Sequence, residues 1–153
     1  MEIDRDARAV REAIAALITS FNWAIDCAEG KDMGRFFTED ALLHLPDPAN
    51  GWRAAPPLRG RDAIAARWHH RSPLVTTRHV TVNLEIESYG TTAATARSVG
   101  LGFRHCGQGM GLPVPAVVAD YDDVCLRCED GQWRFLERRI TAVFVDPELA
   151  LPK

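Results

Sequence analysis

The sequence predicts an α+β fold, a curved antiparallel sheet wrapped around helices that precede it. Three observations carry this. The first 28 residues place Val10, Ile14, Leu17, Phe21 and Ile25 at the 3-4-3-4 spacing of an amphipathic helix. The stretch Thr77 to Glu87 alternates strictly, with Val80, Val82, Leu84 and Ile86 on one side and His79, Thr81, Asn83 and Glu85 on the other, the period of a half-buried strand. From there to the end the chain reads as strand and turn, and helices followed by a meander of long strands is an α+β order.

The first helix is expected from about Asp4 to Ala28, capped by Asp4 or Asp6 and stopped by Gly30. A short second helix covers Asp32 to Phe37. Ala41-Leu42-Leu43-His44-Leu45 reads as a strand ended by Pro46 and Pro48, and 47–60 as a Pro- and Gly-rich loop with Trp52 in its middle. Gly60-Arg61-Asp62 leads into a third helix, Ala63 to about His70, that ends near Ser72-Pro73. Tyr89-Gly90-Thr91-Thr92 is a hairpin turn signal, and the strand after it has small residues on one side, Ala94, Ala96, Ser98, Gly100 and Gly102. A two-residue turn at Gly90-Thr91 sets His79 opposite Gly102 and Asn83 opposite Ser98, with Arg104 on the His79 face; a three-residue turn brings His105 there instead. Asp130-Gly131 closes a last hairpin that sets Asp123 opposite Arg138 and Asp122 opposite Arg139. No repeat and no second domain is visible, so residues 1–153 read as one domain with a core of about 7–145.

Composition narrows the function. A chain of 153 residues, 46% hydrophobic and 25% charged, supports one real core. A net charge of -3 with interspersed signs offers no basic face for nucleic acid and no polybasic membrane patch. The acidic start, Glu2, Asp4 and Asp6, is not a secretory leader, and no apolar run is long enough to span a bilayer, so a cytoplasmic protein is expected. Four cysteines, Cys27, Cys106, Cys125 and Cys128, are then expected as free thiols. Cys125 and Cys128 are spaced like half a zinc site, but three residues apart on a strand they point to opposite faces, and no metal is expected.

The polar row His79, Thr81, Asn83 either meets water or lines a polar pocket, and the alternation alone leaves both open. Trp23, Trp52 and Trp68 could wall a flat hydrophobic ligand or fill the core. His44, His69 and His70 are weaker candidates.

The element order, with Phe37-Thr38-Glu39-Asp40-Ala41, Leu58-Arg59-Gly60-Arg61-Asp62-Ala63-Ile64, Arg78-His79-Val80-Thr81-Val82-Asn83 and Asp130-Gly131-Gln132-Trp133-Arg134-Phe135, resembles the SnoaL-like branch of the nuclear transport factor 2-like superfamily. The resemblance runs from Ala7 to Phe144. It implies a cone-shaped fold that hosts cyclases, dehydratases, isomerases, dioxygenase small subunits and plain binding modules. In related dehydratases a strand histidine works with an aspartate near the end of the first helix, and the matching positions are His79 and Asp26. A carboxylate against imidazole fixes its tautomer and raises its basicity, which suits removal of a proton alpha to a carbonyl. On an ideal wheel Asp26 lies about 140° from the apolar stripe, so it reaches a pocket only if the helix ends or bends there.

Those dehydratases also use tyrosine hydroxyls, where this chain has Phe21 and Leu45. Its tyrosines are Tyr89 and Tyr121. Arg104 or His105 could serve as a replacement donor. The resemblance thus implies a lyase or isomerase without metal or cofactor, acting on a polycyclic or aromatic carbonyl compound. Catalysis would fall to His79 and Asp26, and binding to Phe21, Trp23, Leu45, Trp52, Trp68, Asn83, Arg104 and His105. The alternatives are a non-catalytic small-molecule binder and a structural subunit of the dioxygenase small-subunit kind. The aliphatic strand face, Val80, Val82, Leu84, Val99 and Leu101, predicts a homodimer or higher homo-oligomer.

Overall fold

A computed structural model describes residues 2–27, 31–69 and 72–150. The first helix, α1, runs Glu2–Cys27 and turns Val10, Ile14, Leu17, Ile18, Phe21, Ala24 and Ile25 into the core. Asp4 and Asp6 lie inside it rather than ahead of its first residue. The expected stop at Gly30 lies outside the described residues. The second helix is a single 3-10 turn, Met33–Phe36, entered through Asp32 at φ 52.

The first strand, β1 (Phe37–His44), starts four residues earlier than its apolar run suggests, because Phe37 and Ala41 are themselves core residues. The Pro-rich stretch is not plain loop. It contains a small hairpin, β2 (Pro46–Asp47) with β3 (Arg53–Ala54), and then β4 (Leu58–Arg59), which pairs with β1. The third helix, α2, is Arg61–Ala66. It stops short of the expected end because the backbone tightens: Arg67, Trp68 and His69 each donate to the carbonyl three residues back.

Four long strands follow, β5 (Val75–Tyr89), β6 (Ala93–Cys106), β7 (Val117–Arg127) and β8 (Trp133–Val145), then the short helix α3 (Pro147–Ala150). The sheet order is β4-β1-β8-β7-β6-β5, antiparallel except for β1 beside β8. Its concave side wraps α1, and the core lies between them, with Phe21 edge-on to Phe36, Phe37 and Phe135 at 5.5–5.8 Å. The convex side leaves Val80, Val82, Leu84, Val143 and Phe144 exposed.

The register that faces His79 to Gly102 arises from two departures that cancel. The connection after β5 holds three residues, Gly90, Thr91 and Thr92, since Tyr89 pairs with Ala93. One extra residue is then absorbed by a bulge, where Asn83 and Leu84 lie between the pairs Val82–Val99 and Glu85–Arg97. Beyond it His79 faces Gly102 as a two-residue turn would require. The bulge also moves Ile86 off the Val80 face and onto the core, correcting the uninterrupted alternation. The last hairpin behaves alike: Asp123 does face Arg138 and Asp122 does face Arg139, after an irregularity next to Val124 and Cys125. Only the first is an ion pair, at 3.5 Å with both side chains 1% exposed. Asp122 instead meets Arg97, and Arg139 bonds Glu137.

Candidate functional site

Two side chains one turn apart on α1 meet the inward face of β5. Asn22 Nδ2 donates to Thr81 Oγ1 at 2.9 Å. Asp26 accepts three hydrogen bonds of 2.7 Å, from Thr77 Oγ1, from the His79 backbone N–H and from His79 Nδ1. α1 ends at Cys27, one residue on, and Asp26 meets β5 without itself lining the cavity. It lies beside the apolar stripe, on the flank of α1 that packs against β5, and its side chain is 4% exposed. A carboxylate in the last turn of a helix opposes the dipole, and these three donors are the compensation. Burial pushes the Asp26 carboxyl up, but the His79 hydrogen bonds and charge and the Thr77 hydroxyl outweigh it, leaving it below its ordinary value. The carboxylate is thus ionised at neutral pH.

With Asp26 holding Nδ1–H, the second ring nitrogen of His79 is the free one. His79 is 27% exposed and lines a cavity of about 590 Å³. β6 is small on this face: a Cβ on Gly102 would be in ordinary contact with the His79 ring at 3.8–3.9 Å, and the space over Gly100 is taken by the Tyr121 ring. The remaining wall includes Phe21, Leu45, Trp52 and Trp68, and Arg104, not His105.

Three expected residues stand elsewhere. Trp23 is 60% exposed on the outer flank of α1, away from the cavity wall. Asn83 is exposed at the bulge in a left-handed conformation, φ 52, so its side chain leaves the row that His79 and Thr81 share. His105 faces the opposite side of β6 from Arg104 and packs against Gly111. His44 belongs to a separate groove and meets Glu137 at 3.0 Å. His69 is exposed, and His70 lies outside the described residues. Cys125 is fully buried while Cys128 is half-buried, and among the described residues no cluster of His, Cys, Asp or Glu could hold a metal. No described helix is long and apolar enough to cross a membrane.

Sequence reasoning missed Tyr121. Its ring lies over Gly100 and forms part of the cavity wall. Burial raises the phenol's pKa; Arg138 pulls it down and Asp123 pushes it up, so it remains a protonated donor at neutral pH. The signal was present in the register, because Tyr121 pairs with Ser98 beside Gly100, and those small residues make room for the ring.

The sequence profile of the SnoaL-like domain matches residues 6–139, and the chain belongs to that family. No curated protein sequence matches it. Among solved structures it is similar to a Novosphingobium aromaticivorans protein named as a candidate scytalone dehydratase (21% identity, 89% of this chain and 85% of that one, TM-score 0.70). It is also similar to a Catenulispora acidiphila protein in complex with S-DNPA (23%, 88% and 94%, TM-score 0.66). A third is the β subunit of a candidate aromatic-ring-hydroxylating dioxygenase from N. aromaticivorans (15%, 91% and 92%, TM-score 0.74). At these identities the likeness establishes the fold, that of the nuclear transport factor 2-like cone.

Proposed function

We propose that this protein is a lyase or isomerase, of the dehydratase or cyclase kind, that moves a proton on a flat aromatic or polycyclic carbonyl compound without a metal or cofactor. The observation that carries this reading is the 2.7 Å bond from His79 Nδ1 to a buried, ionised Asp26, with the ring at the wall of a cavity. A neutral imidazole so held presents the Nε2 lone pair as a base. It takes the proton alpha to the carbonyl, Asp26 stabilises the imidazolium, and the enolate oxygen accepts a hydrogen bond from Tyr121. In a dehydration the β-hydroxyl then leaves with that same proton as water. Phe21, Leu45, Trp52 and Trp68 supply apolar walls for the ring system.

A structural subunit would have this space filled, so the open cavity favours an enzyme or binder over that alternative. A candidate scytalone dehydratase and a ligand complex among the similar structures support the same choice.

The test is turnover of a panel of hydroxylated tetralones and naphthalenones by wild type, His79→Ala and Asp26→Asn, with melting temperature measured on the same preparations. His79→Ala is expected to lose on the order of 100-fold or more, as general-base removal does, while remaining folded. Asp26→Asn is expected to follow it. An active, well-folded His79→Ala protein would end the catalytic reading and leave a binding protein.

A further inference from the structure

The cavity carries an electrostatic bias that proton transfer at His79 does not use. Its described wall includes two arginines, Arg67 and Arg104, and no aspartate or glutamate. Asp26, behind His79, is not part of that wall and is held by three hydrogen bonds. Arg104 is also fixed in place: its NH1 donates to the Ala150 carbonyl of α3 at 3.1 Å, and its Nε is buried with no hydrogen-bond partner among the described residues. A guanidinium held at a cavity wall favours an anionic oxygen, since guanidinium and carboxylate match in geometry.

We propose that the substrate carries an ionised acid group, a carboxylate, and that Arg104 binds it, with Arg67 at the exposed rim adding attraction. This rests on the cavity being the substrate site, as proposed above. The register separates the two binding points. Arg104 lies opposite Thr77, and Gly102 opposite His79, so Arg104 and the base are displaced by two residues along neighbouring strands. Two residues of strand are about 7 Å. The acid group and the carbon that loses its proton are therefore held at different points along the sheet, at two ends of a ring frame. The Trp and Phe walls would hold that frame between the two ends.

The test uses two probes of equal shape, 2-naphthoate and neutral 2-naphthamide, with binding followed by quenching of tryptophan fluorescence. Wild type is expected to bind the naphthoate at least 10-fold more tightly, with the preference shrinking as salt is raised. Arg104→Met should abolish the preference, Arg104→Lys should keep part of it, and Arg67→Met should reduce it less; melting temperatures confirm that each variant is folded. Equal affinity for the two probes in wild type, or a preference that survives Arg104→Met, overturns the assignment while leaving proton transfer at His79 standing. If neither probe binds wild type, the assignment falls together with the cavity as a ligand site.

Discussion

Arg138 and Asp123 form a buried pair in the core. The guanidinium is stacked on the rings of Phe21, Phe135 and Tyr121 at 4.5–4.9 Å and faces Asp123 at 3.5 Å, with both side chains 1% exposed. At that distance and an effective dielectric of about 20 the attraction is about 5 kcal/mol. It does not fully offset desolvation: burial pushes the Asp123 carboxyl up to about 6 although Arg138 pulls it down, and Asp122 adds to the rise. Arg138→Met would leave a buried carboxylate unpaired, and we expect a loss of about 3–5 kcal/mol at pH 7.5 by urea denaturation.

The sign of the pH effect follows from the direction of the shift. An acid whose folded pKa is raised holds its proton in the folded state over a range where the unfolded chain has released it, so stability falls as pH rises through that window. In wild type this loss runs from about pH 4 to about 6. In Arg138→Met the window extends upward, so lowering pH from 7.5 to 5.5 should restore up to about 1.4 kcal/mol per unit. The double variant Asp123→Leu with Arg138→Met should come back to near wild type or above it, because apolar replacement of a buried pair is commonly neutral or stabilising. A variant that loses under about 1 kcal/mol, or whose stability is flat between pH 5.5 and 7.5, would refute the reasoning.

Gly100→Ala places a Cβ 2.3 Å from the Tyr121 ring, so it should displace that ring into the cavity, cost about 1–3 kcal/mol and weaken ligand binding measured by tryptophan fluorescence. An alanine variant with unchanged stability and binding would show that the ring has room to move. The exposed Val80, Val82, Leu84, Val143 and Phe144 lead us to expect a homodimer or higher assembly in solution; light scattering at micromolar concentration that returns a single 17.0 kDa chain would refute this.

The fold was legible because its signals were local and redundant. The helix stripe and the alternation from Thr77 placed α1 and β5, and charge complementarity across the last hairpin placed β7 against β8. The turn length left Arg104 and His105 both open as the residue facing with His79, and the bulge at Asn83 is what decides for Arg104. What was not legible depended on packing between elements distant in sequence. Asp26 read as off the apolar stripe, since a wheel shows only the helix's own polarity and not the donors waiting on β5. Tyr121 escaped because its place follows from Gly100, a residue whose role is to be missing a side chain. Trp23 illustrates the converse: an aromatic residue invites a buried role, but its angle on α1 points it to solvent.

The bulge at Asn83 decides which side chains β5 sends inward, and it supplies the last prediction. His79 and Ile86 are seven residues apart, an odd number, so a regular strand would point them to opposite faces; yet one lines the cavity and the other packs on the core. The extra residue resolves this, and it requires Asn83 at φ 52, a left-handed conformation that asparagine tolerates and β-branched residues resist. Asn83→Gly should then leave both stability and ligand binding near wild type. Asn83→Val should cost about 1–2 kcal/mol. If the strand escapes that strain by straightening, one end must turn over, so His79 would leave the cavity or Ile86 the core, and ligand binding or stability would fall further. Urea denaturation of the two variants, with probe binding on the same samples, separates the outcomes. A valine variant as stable and as competent in binding as the glycine one would show that the left-handed bulge is not what holds His79 in place.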